Sequence, residues 1–247
     1  YNVRDTAWIY DVAEASWINN IKHMPEDDDI NYVILALRLL EREGRDFTME
    51  SVAARWLTDL PLFHTFTAER IAYANIANRV WPPHSATWRN PCREGIGAQI
   101  RGDFFGYINP GNPEQAADMA WRDASISHVK NGIYGEMFVA AMLAAAGRGQ
   151  WDAEGLIRSG LSQIPARSRY AAAIEQVIAW KNEGLGWEQV IDRIHSLYDE
   201  TEEYDSLYVI PNAMVVCTGI LYGELDFAPD PRHPRTFDCR NEPPSGK

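Results

Sequence analysis

The sequence predicts an all-α protein whose helices form a single compact domain. Apolar residues recur at spacings of three and four along most of the 247 residues, which is the period of a helix with one buried face. Val, Ile and Thr form no alternating runs bounded by turns, so we expect no β-sheet. The 46% of residues that are hydrophobic can build a sizeable core.

The first predicted helix spans 30–43, and Gly44 ends it. Its apolar face consists of Ile30, Val33, Ile34, Leu37 and Leu40. Four acidic residues, Glu26 to Asp29, stand directly before this helix. Their crowding costs like-charge repulsion, so either the helix end or a bound cation must make the cluster tolerable.

The second helix is expected over 48–60, with Thr48 as its N-cap and Pro61 beyond its end. A full capping box would place Glu or Gln three residues after the cap, where Ser51 stands, so the box is imperfect. Six further helices follow at 67–81, 112–127, 132–147, 168–184, 186–200 and 210–224. The helix at 132–147 is apolar nearly all round, which predicts a central position.

Two segments interrupt the helical pattern. Residues 81–103 form a long, aromatic and glycine-rich loop, a type of segment that is often functional. Residues 229–247 contain five prolines and no apolar periodicity, so we expect a helical domain over 1–228 followed by an extended or disordered tail. Because residue 1 is Tyr and not Met, the chain is expected to be a fragment or trimmed.

The net charge of −12 and the pI of about 4.9 argue against nucleic acid or an anionic membrane surface as a partner. No apolar run approaches the length of a membrane span. Three scattered cysteines and the lack of a visible signal peptide predict free thiols in the cytoplasm. The composition therefore leaves room for cations as ligands.

The acidic cluster has two explanations. One or two acids at a helix start cap the backbone amides and favour the helix dipole, which is the common role of such residues. The cluster has four acids, however, and carboxylate oxygens are the ligands that Mg²⁺ and Mn²⁺ prefer. A bound divalent ion would also relieve the repulsion.

Two further segments carry candidate residues. In the stretch GIGAQIRGDFFGY, glycines allow either close helix packing or the close approach of a ligand, and Asp103 lies in its middle. His128 follows a predicted helix and precedes the turn signal Asn131-Gly132, so it lies at a junction where side chains can face a cleft, although a lone His is more often structural. Glu136, in the apolar helix, needs a partner or a pocket.

Several stretches together resemble the ADP-ribosylglycohydrolase family. They are EDDDINY, TAERIAYANI, the segment from NPCREGIGAQIRGDFF to EMFVAAMLAAA that contains His128, and IPNAMVVCTGILYGELDF. The acidic helix start is similar to the branch that has EDDD in place of Thr-Asp-Asp-Thr. The resemblance implies an all-α, orthogonal multi-helix domain and a metal-dependent hydrolase. It would cleave the N- or O-glycosidic bond of an ADP-ribosylated protein or small molecule.

The resemblance also implies site residues. Glu26, Asp27 and Asp28 would be metal ligands for Mg²⁺ or Mn²⁺, with two ions in a complete site, and Asp27 and Asp28 would be catalytic. Asp29 takes the place of the last Thr, and Asp103 receives no role. The residues expected to contact the substrate are His128, Asn131, Gly132, Tyr134 and Phe105, the last two as aromatic rings near the glycine-rich turns that could instead serve the core.

The chain departs from the family pattern at both ends. The family's N-terminal glycine-rich helix is not evident, and its C-terminal Asp-x-Asp motif is matched only faintly by Asp238, Cys239 and Asn241. These departures leave enzymatic activity open. One alternative is an inactive member that binds ADP-ribose or has a structural role, and another is a helical interaction module whose acids are a solvated cap.

Overall fold

The computed structural model describes residues 27–149, 152–199 and 201–223. These residues contain twelve α-helices and no β-strand, which confirms the all-α prediction. The helices are α1 (Asp28–Glu43), α2 (Met49–Asp59), α3 (Thr67–Ala77), α4 (His84–Thr87), α5 (Asp103–Tyr107), α6 (Pro113–Ala124), α7 (Asn131–Ala146), α8 (Ala153–Leu161), α9 (Arg169–Asn182), α10 (Trp187–Leu197), α11 (Glu203–Leu207) and α12 (Val209–Gly223). Two 3₁₀ segments, Leu62–His64 and Ile96–Arg101, lie between them.

Local side-chain contacts define the predicted helix starts. The Thr48 hydroxyl accepts a hydrogen bond from the Ser51 amide at 3.2 Å, and the Ser51 hydroxyl accepts one from the Thr48 amide at 3.4 Å. Serine therefore closes the capping box that we expected to be imperfect. The Asn112 side chain caps α6 by accepting from the Gln115 amide, and Pro113 occupies its first turn.

The buried apolar side chains form two clusters, and α7 contributes to both. Phe138 and Met142 pack with the C-terminal helices α8, α9, α10 and α12. Ala140 and Ala144 pack with α1, α2, α5 and α6. Because α7 has core on opposite sides, it needs the nearly uniform apolar character that predicted its central position.

Several short elements differ from the predicted helix set. Within the predicted loop 81–103, residues His84–Thr87 form one helical turn and Ile96–Arg101 a 3₁₀ segment. The helix α8 was not predicted, since it has only nine residues and two of them are glycines that lower helix propensity. A helix this short gains its stability from packing and not from its own pattern.

None of the helices in the described ranges combines the length and the apolar character that crossing a bilayer requires. The tail 229–247 lies outside the described residues, so its predicted extended form and the domain boundary at 228 stay predictions.

Candidate functional site

Three consecutive carboxylates converge at the start of α1. Asp27 is the N-cap, and its side chain accepts a hydrogen bond from the Asp29 amide at 2.9 Å. One oxygen atom from each of Asp27, Asp28 and Asp29 can be chosen so that all lie within 4.8 Å of one another. Asp28 is half-buried, whereas Asp27 and Asp29 are exposed. Glu26, the fourth acid of the predicted cluster, lies outside the described residues.

Burial and like-charge repulsion both disfavour the ionised forms of this acidic cluster. Burial, followed by the charges of Asp27, Asp28 and Asp103, raises the pKa of Asp29 to about 7. Burial and the neighbouring Asp27 also raise the pKa of Asp28. Asp103, at the start of α5, accepts a hydrogen bond from the Tyr107 hydroxyl at 3.4 Å. The structure thus adds Asp103 to Asp27 and Asp28 as a third carboxylate acting on Asp29, which sequence reasoning could not assign.

The donor set fits a hard divalent cation. Among the described residues this is the one group of three or more acidic, His or Cys side chains that could converge on a single ion. Mg²⁺ and Mn²⁺ prefer carboxylate oxygens, and their charge would lower the raised pKa values of Asp28 and Asp29. Capping by Asp27 uses one carboxylate oxygen, so the cap and the metal-binding roles are compatible.

A second group of charges lies fully inside the protein around Arg101, at the end of the 3₁₀ segment. The Arg101 guanidinium pairs with the Asp123 carboxylate through Nε, with Glu69 Oε1 at 3.2 Å and with Glu136 Oε2 at 3.6 Å. It also donates to the Ser127 hydroxyl at 2.9 Å. We call Arg101, Glu69, Asp123, Ser127 and Glu136 the Arg101 network.

Three carboxylates share one buried cation in this network, an arrangement that disfavours additional negative charge. Burial and the nearby Asp123 charge raise the pKa of Glu136 well above its usual value. Burial raises the pKa of Glu69 to about 7, against the opposing effect of Arg101. The raised pKa favours the neutral acid, and Arg101 supplies the partner that Glu136 needs in the apolar helix α7.

Gly97 provides the space for one of these acids. A Cβ atom at this position would lie within 2.5 Å of all three atoms of the Glu69 carboxylate group. The glycine-rich stretch thus serves close internal packing at Gly97, which was one of the two interpretations of its glycines.

The predicted substrate residue His128 is fully buried beside the Arg101 network. Its Nδ1 is 2.8 Å from the Ser127 hydroxyl, and its Nε2 is 3.9 Å from Glu69 Oε1. Burial and the charge of Arg101 lower the pKa of His128 well below 6.5, so the imidazole is neutral. In this conformation His128 has no surface open to a ligand.

The other predicted substrate residues lie at the first turn of α7 and in α5. Asn131 and Gly132 are buried, Tyr134 is partly buried, and Phe105 is 1% exposed in the core. The Asn131 side chain donates to Glu94 Oε2 at 2.6 Å and accepts from the Tyr170 amide at 3.2 Å. The structure shows these internal contacts, and substrate binding by the five residues stays a prediction.

Sequence reasoning missed the role of Glu69 and Arg101. Both lie inside stretches that carried the resemblance, but neither was singled out. The available signal was a charged residue flanked by apolar and small residues, as in TAERIAYA and GAQIRGD. That pattern indicates that the charged side chain is buried, but it does not identify the residue with which the side chain pairs.

The comparisons with known proteins add one finding. The model of the ADP-ribosylglycohydrolase family matches residues 9–231, which is most of the chain. Comparison with curated proteins and with solved structures gives no match. The matched range includes the acidic start of α1, the Arg101 network and the first turn of α7. The chain therefore belongs to the ADP-ribosylglycohydrolase family.

Proposed function

We propose that this protein is a metal-dependent hydrolase that cleaves the N- or O-glycosidic bond of an ADP-ribosylated protein or small molecule. The observation that carries the proposal is the convergence of Asp27, Asp28 and Asp29 within 4.8 Å at the start of α1. Membership of the ADP-ribosylglycohydrolase family supports glycosidic hydrolysis of an ADP-ribose-containing substrate. Family members are generally metal-dependent, and this cluster is the candidate site.

The proposed ligands are Glu26, Asp27 and Asp28, and the ion is Mg²⁺ or Mn²⁺, with two ions where the family's C-terminal acids complete the site. When bound, such ions would hold ribose hydroxyls and polarise water. Cleavage of a ribosyl bond develops positive charge at the anomeric carbon, which the carboxylates stabilise electrostatically. As the water oxygen bonds to the anomeric carbon and the glycosidic bond breaks, a carboxylate oxygen of Asp27 or Asp28 accepts the proton of the water, and the leaving nitrogen or oxygen takes up a proton from solvent.

The rest of the proposal concerns the substrate and the compartment. His128, Asn131, Gly132, Tyr134 and Phe105 are the proposed surroundings of the ADP-ribosyl group. Because His128 and Phe105 are buried, their contact with substrate requires a rearrangement of α5 or of the α6–α7 junction. The proposed compartment is the cytoplasm, which the sparse cysteines of the sequence support.

The experiment that tests the proposal distinguishes the metal-binding charge of Asp27 and Asp28 from the helix-capping role of Asp27. Asp27→Asn retains a side chain that caps helices well, so Asp27→Asn/Asp28→Asn removes two charges while the start of α1 is kept. We expect this variant to lose Mn²⁺ binding measured by calorimetry and the release of ADP-ribose from an ADP-ribosylated peptide. The matched control is Asp152→Asn, which alters the exposed N-cap of α8 outside the cluster. Unchanged Mn²⁺ affinity in the double variant would contradict the proposal.

A second candidate is an ADP-ribose-binding member without turnover. The sequence observation that favours it is the tail, where Asp238 is present but residue 236 is Thr and not a second acid. A titration with ADP-ribose distinguishes the candidates, because binding without product release from a modified peptide indicates the inactive member. If neither ADP-ribose nor Mn²⁺ shifts the melting temperature, the acids are a solvated cap.

A further inference from the structure

Tyr32 connects α1, the helix that begins at the acidic cluster, to the Arg101 network. Tyr32 and Asp28 are four residues apart in α1, so they lie on the same face of the helix. The guanidinium carbon of Arg101 lies 5.4 Å from the centroid of the Tyr32 ring. The start of α1 is therefore connected, through the Tyr32 ring, to a cation that other helices hold in place.

Arg101 is held rigidly enough to fix the position of a side chain that packs against it. It is 2% exposed, and its partners come from three further helices: Glu69 from α3, Asp123 from α6 and Glu136 from α7. A planar guanidinium with charged partners in several directions has little freedom to move. An aromatic ring that packs against this guanidinium is therefore restrained in its position as well.

Tyr32 is also the buried residue of α1 closest to the acids. The other buried residues of this helix are Leu35, Ala36 and Leu39, which lie further along. Of residues 28–32, Tyr32 alone is buried, so no other side chain of this segment anchors the first turn in the core. The Tyr32 hydroxyl has no hydrogen-bond partner within the described ranges, so the ring makes the contact with Arg101 and the hydroxyl adds nothing to it.

We propose that Tyr32 and Arg101 are positioning residues for the acidic cluster: Arg101 holds the Tyr32 ring, and the ring sets the place of Asp27 and Asp28. A cation site requires its oxygen ligands to be placed within a few tenths of an ångström, so a small shift of the first turn weakens binding. This inference rests on the proposed function only through the metal, since the positioning itself is a property of the protein alone.

The chain offers a matched control for the test. Trp56 contacts the same guanidinium at 5.1 Å from its ring and also packs against the Tyr32 ring, with the two centroids 5.7 Å apart, but its helix, α2, carries none of the acids. Tyr32→Leu and Trp56→Leu both remove a ring from Arg101, and only Tyr32→Leu removes the anchor of the acidic cluster. Tyr32→Phe keeps the ring and removes only the hydroxyl that lacks a partner.

Two measurements decide the outcome. The first is the Kd for Mn²⁺ by calorimetry, which we expect Tyr32→Leu to weaken roughly two- to thirtyfold, the range of a cation–π contact. The second is hydrogen exchange in the metal-free protein at the amides of Asn31, Tyr32 and Val33, where the first hydrogen bonds of α1 form. We expect Tyr32→Leu to accelerate exchange there by a similar factor. Tyr32→Phe should leave both quantities unchanged. For each variant the change in Kd and in exchange rate is compared with the loss of melting temperature. Per degree lost, Trp56→Leu should change both quantities less than Tyr32→Leu does.

The inference is overturned if Tyr32→Leu leaves both quantities unchanged, if Tyr32→Phe weakens them as much as Tyr32→Leu, or if Trp56→Leu has the larger local effect. Failure of the proposed function is distinguishable, because the wild-type protein would then bind no Mn²⁺. In that case the exchange measurement alone decides whether Tyr32 and Arg101 position the first turn.

Discussion

Substitution of Gly97 by Ala tests whether the buried charges are as tightly packed as the structure shows. The added methyl group would meet Oε1, Cδ and Oε2 of Glu69, all within 2.5 Å. Real Cβ atoms do not approach other atoms so closely, so the carboxylate must move. Arg101 holds Glu69 Oε1 at 3.2 Å, so a shift of the carboxylate that admits the methyl group disturbs this contact.

The magnitude follows from the burial of both partners. The side chains of Arg101 and Glu69 are 2% and 3% exposed, so a displaced carboxylate has no access to water in its present surroundings. Breaking a buried ion pair costs about 3–5 kcal/mol when one charge is left without a partner. Arg101 keeps Asp123 and Glu136, which offsets part of this loss. We expect Gly97→Ala to lower the free energy of unfolding by about 2–4 kcal/mol, a large fraction of a typical domain's stability.

Urea denaturation followed by tryptophan fluorescence measures this loss. Gly223→Ala is the control, since a Cβ atom there would have no neighbour within 4 Å among the residues that the structure describes, and we expect a change of at most about 1 kcal/mol. The double variant Gly97→Ala/Glu69→Ala removes the obstructing carboxylate, so the two losses should not add and their coupling should reach about 1.5 kcal/mol. A loss below about 1 kcal/mol for Gly97→Ala, or full additivity, refutes the packing argument.

Three further predictions concern titration and the first turn of α7. The raised pKa of Glu69 contributes stability that is complete below pH about 4.5 and is lost as the pH rises to about 7, so Glu69→Gln should flatten the pH dependence of unfolding in this window. The raised pKa of Asp29, about 7, predicts that Mn²⁺ affinity by calorimetry increases from pH 5.5 to 8. Asn131→Ala should cost about 2 kcal/mol in urea unfolding, because the Tyr170 amide and Glu94 lose their partner; a loss near zero would contradict this.

The local features of the fold could be predicted because they depend on neighbours in the chain. The apolar period predicted the helix α1 but not its buried face, because Ile30, Ile34 and Leu37 are exposed whereas Tyr32, Leu35 and Leu39 are buried. Thr48 is the N-cap of α2, as its position before a helical pattern indicated. The short helices α4 and α11 could not be predicted, since segments of four and five residues are too short to display a period.

The candidate site was predictable only in part, for the same reason. Asp27, Asp28 and Asp29 are adjacent in the chain, so their meeting at one helix start follows from the sequence. Asp103 is far along the chain from them, and only the tertiary structure shows that its charge acts on Asp29. His128 was expected near a cleft on the basis of its junction, whereas the packing of α6 and α7 buries it completely.

The amino-acid sequence by itself determined the helical class, the apolar character of α7 and the run of acids before α1, because periodicity and adjacency are properties of the chain. The tertiary structure decided that Arg101 would gather Glu69, Asp123 and Glu136, and that Tyr32 would rest against it. The physical reason is that a buried charge needs partners in three dimensions. Those partners come from helices distant in sequence, which no local pattern can specify.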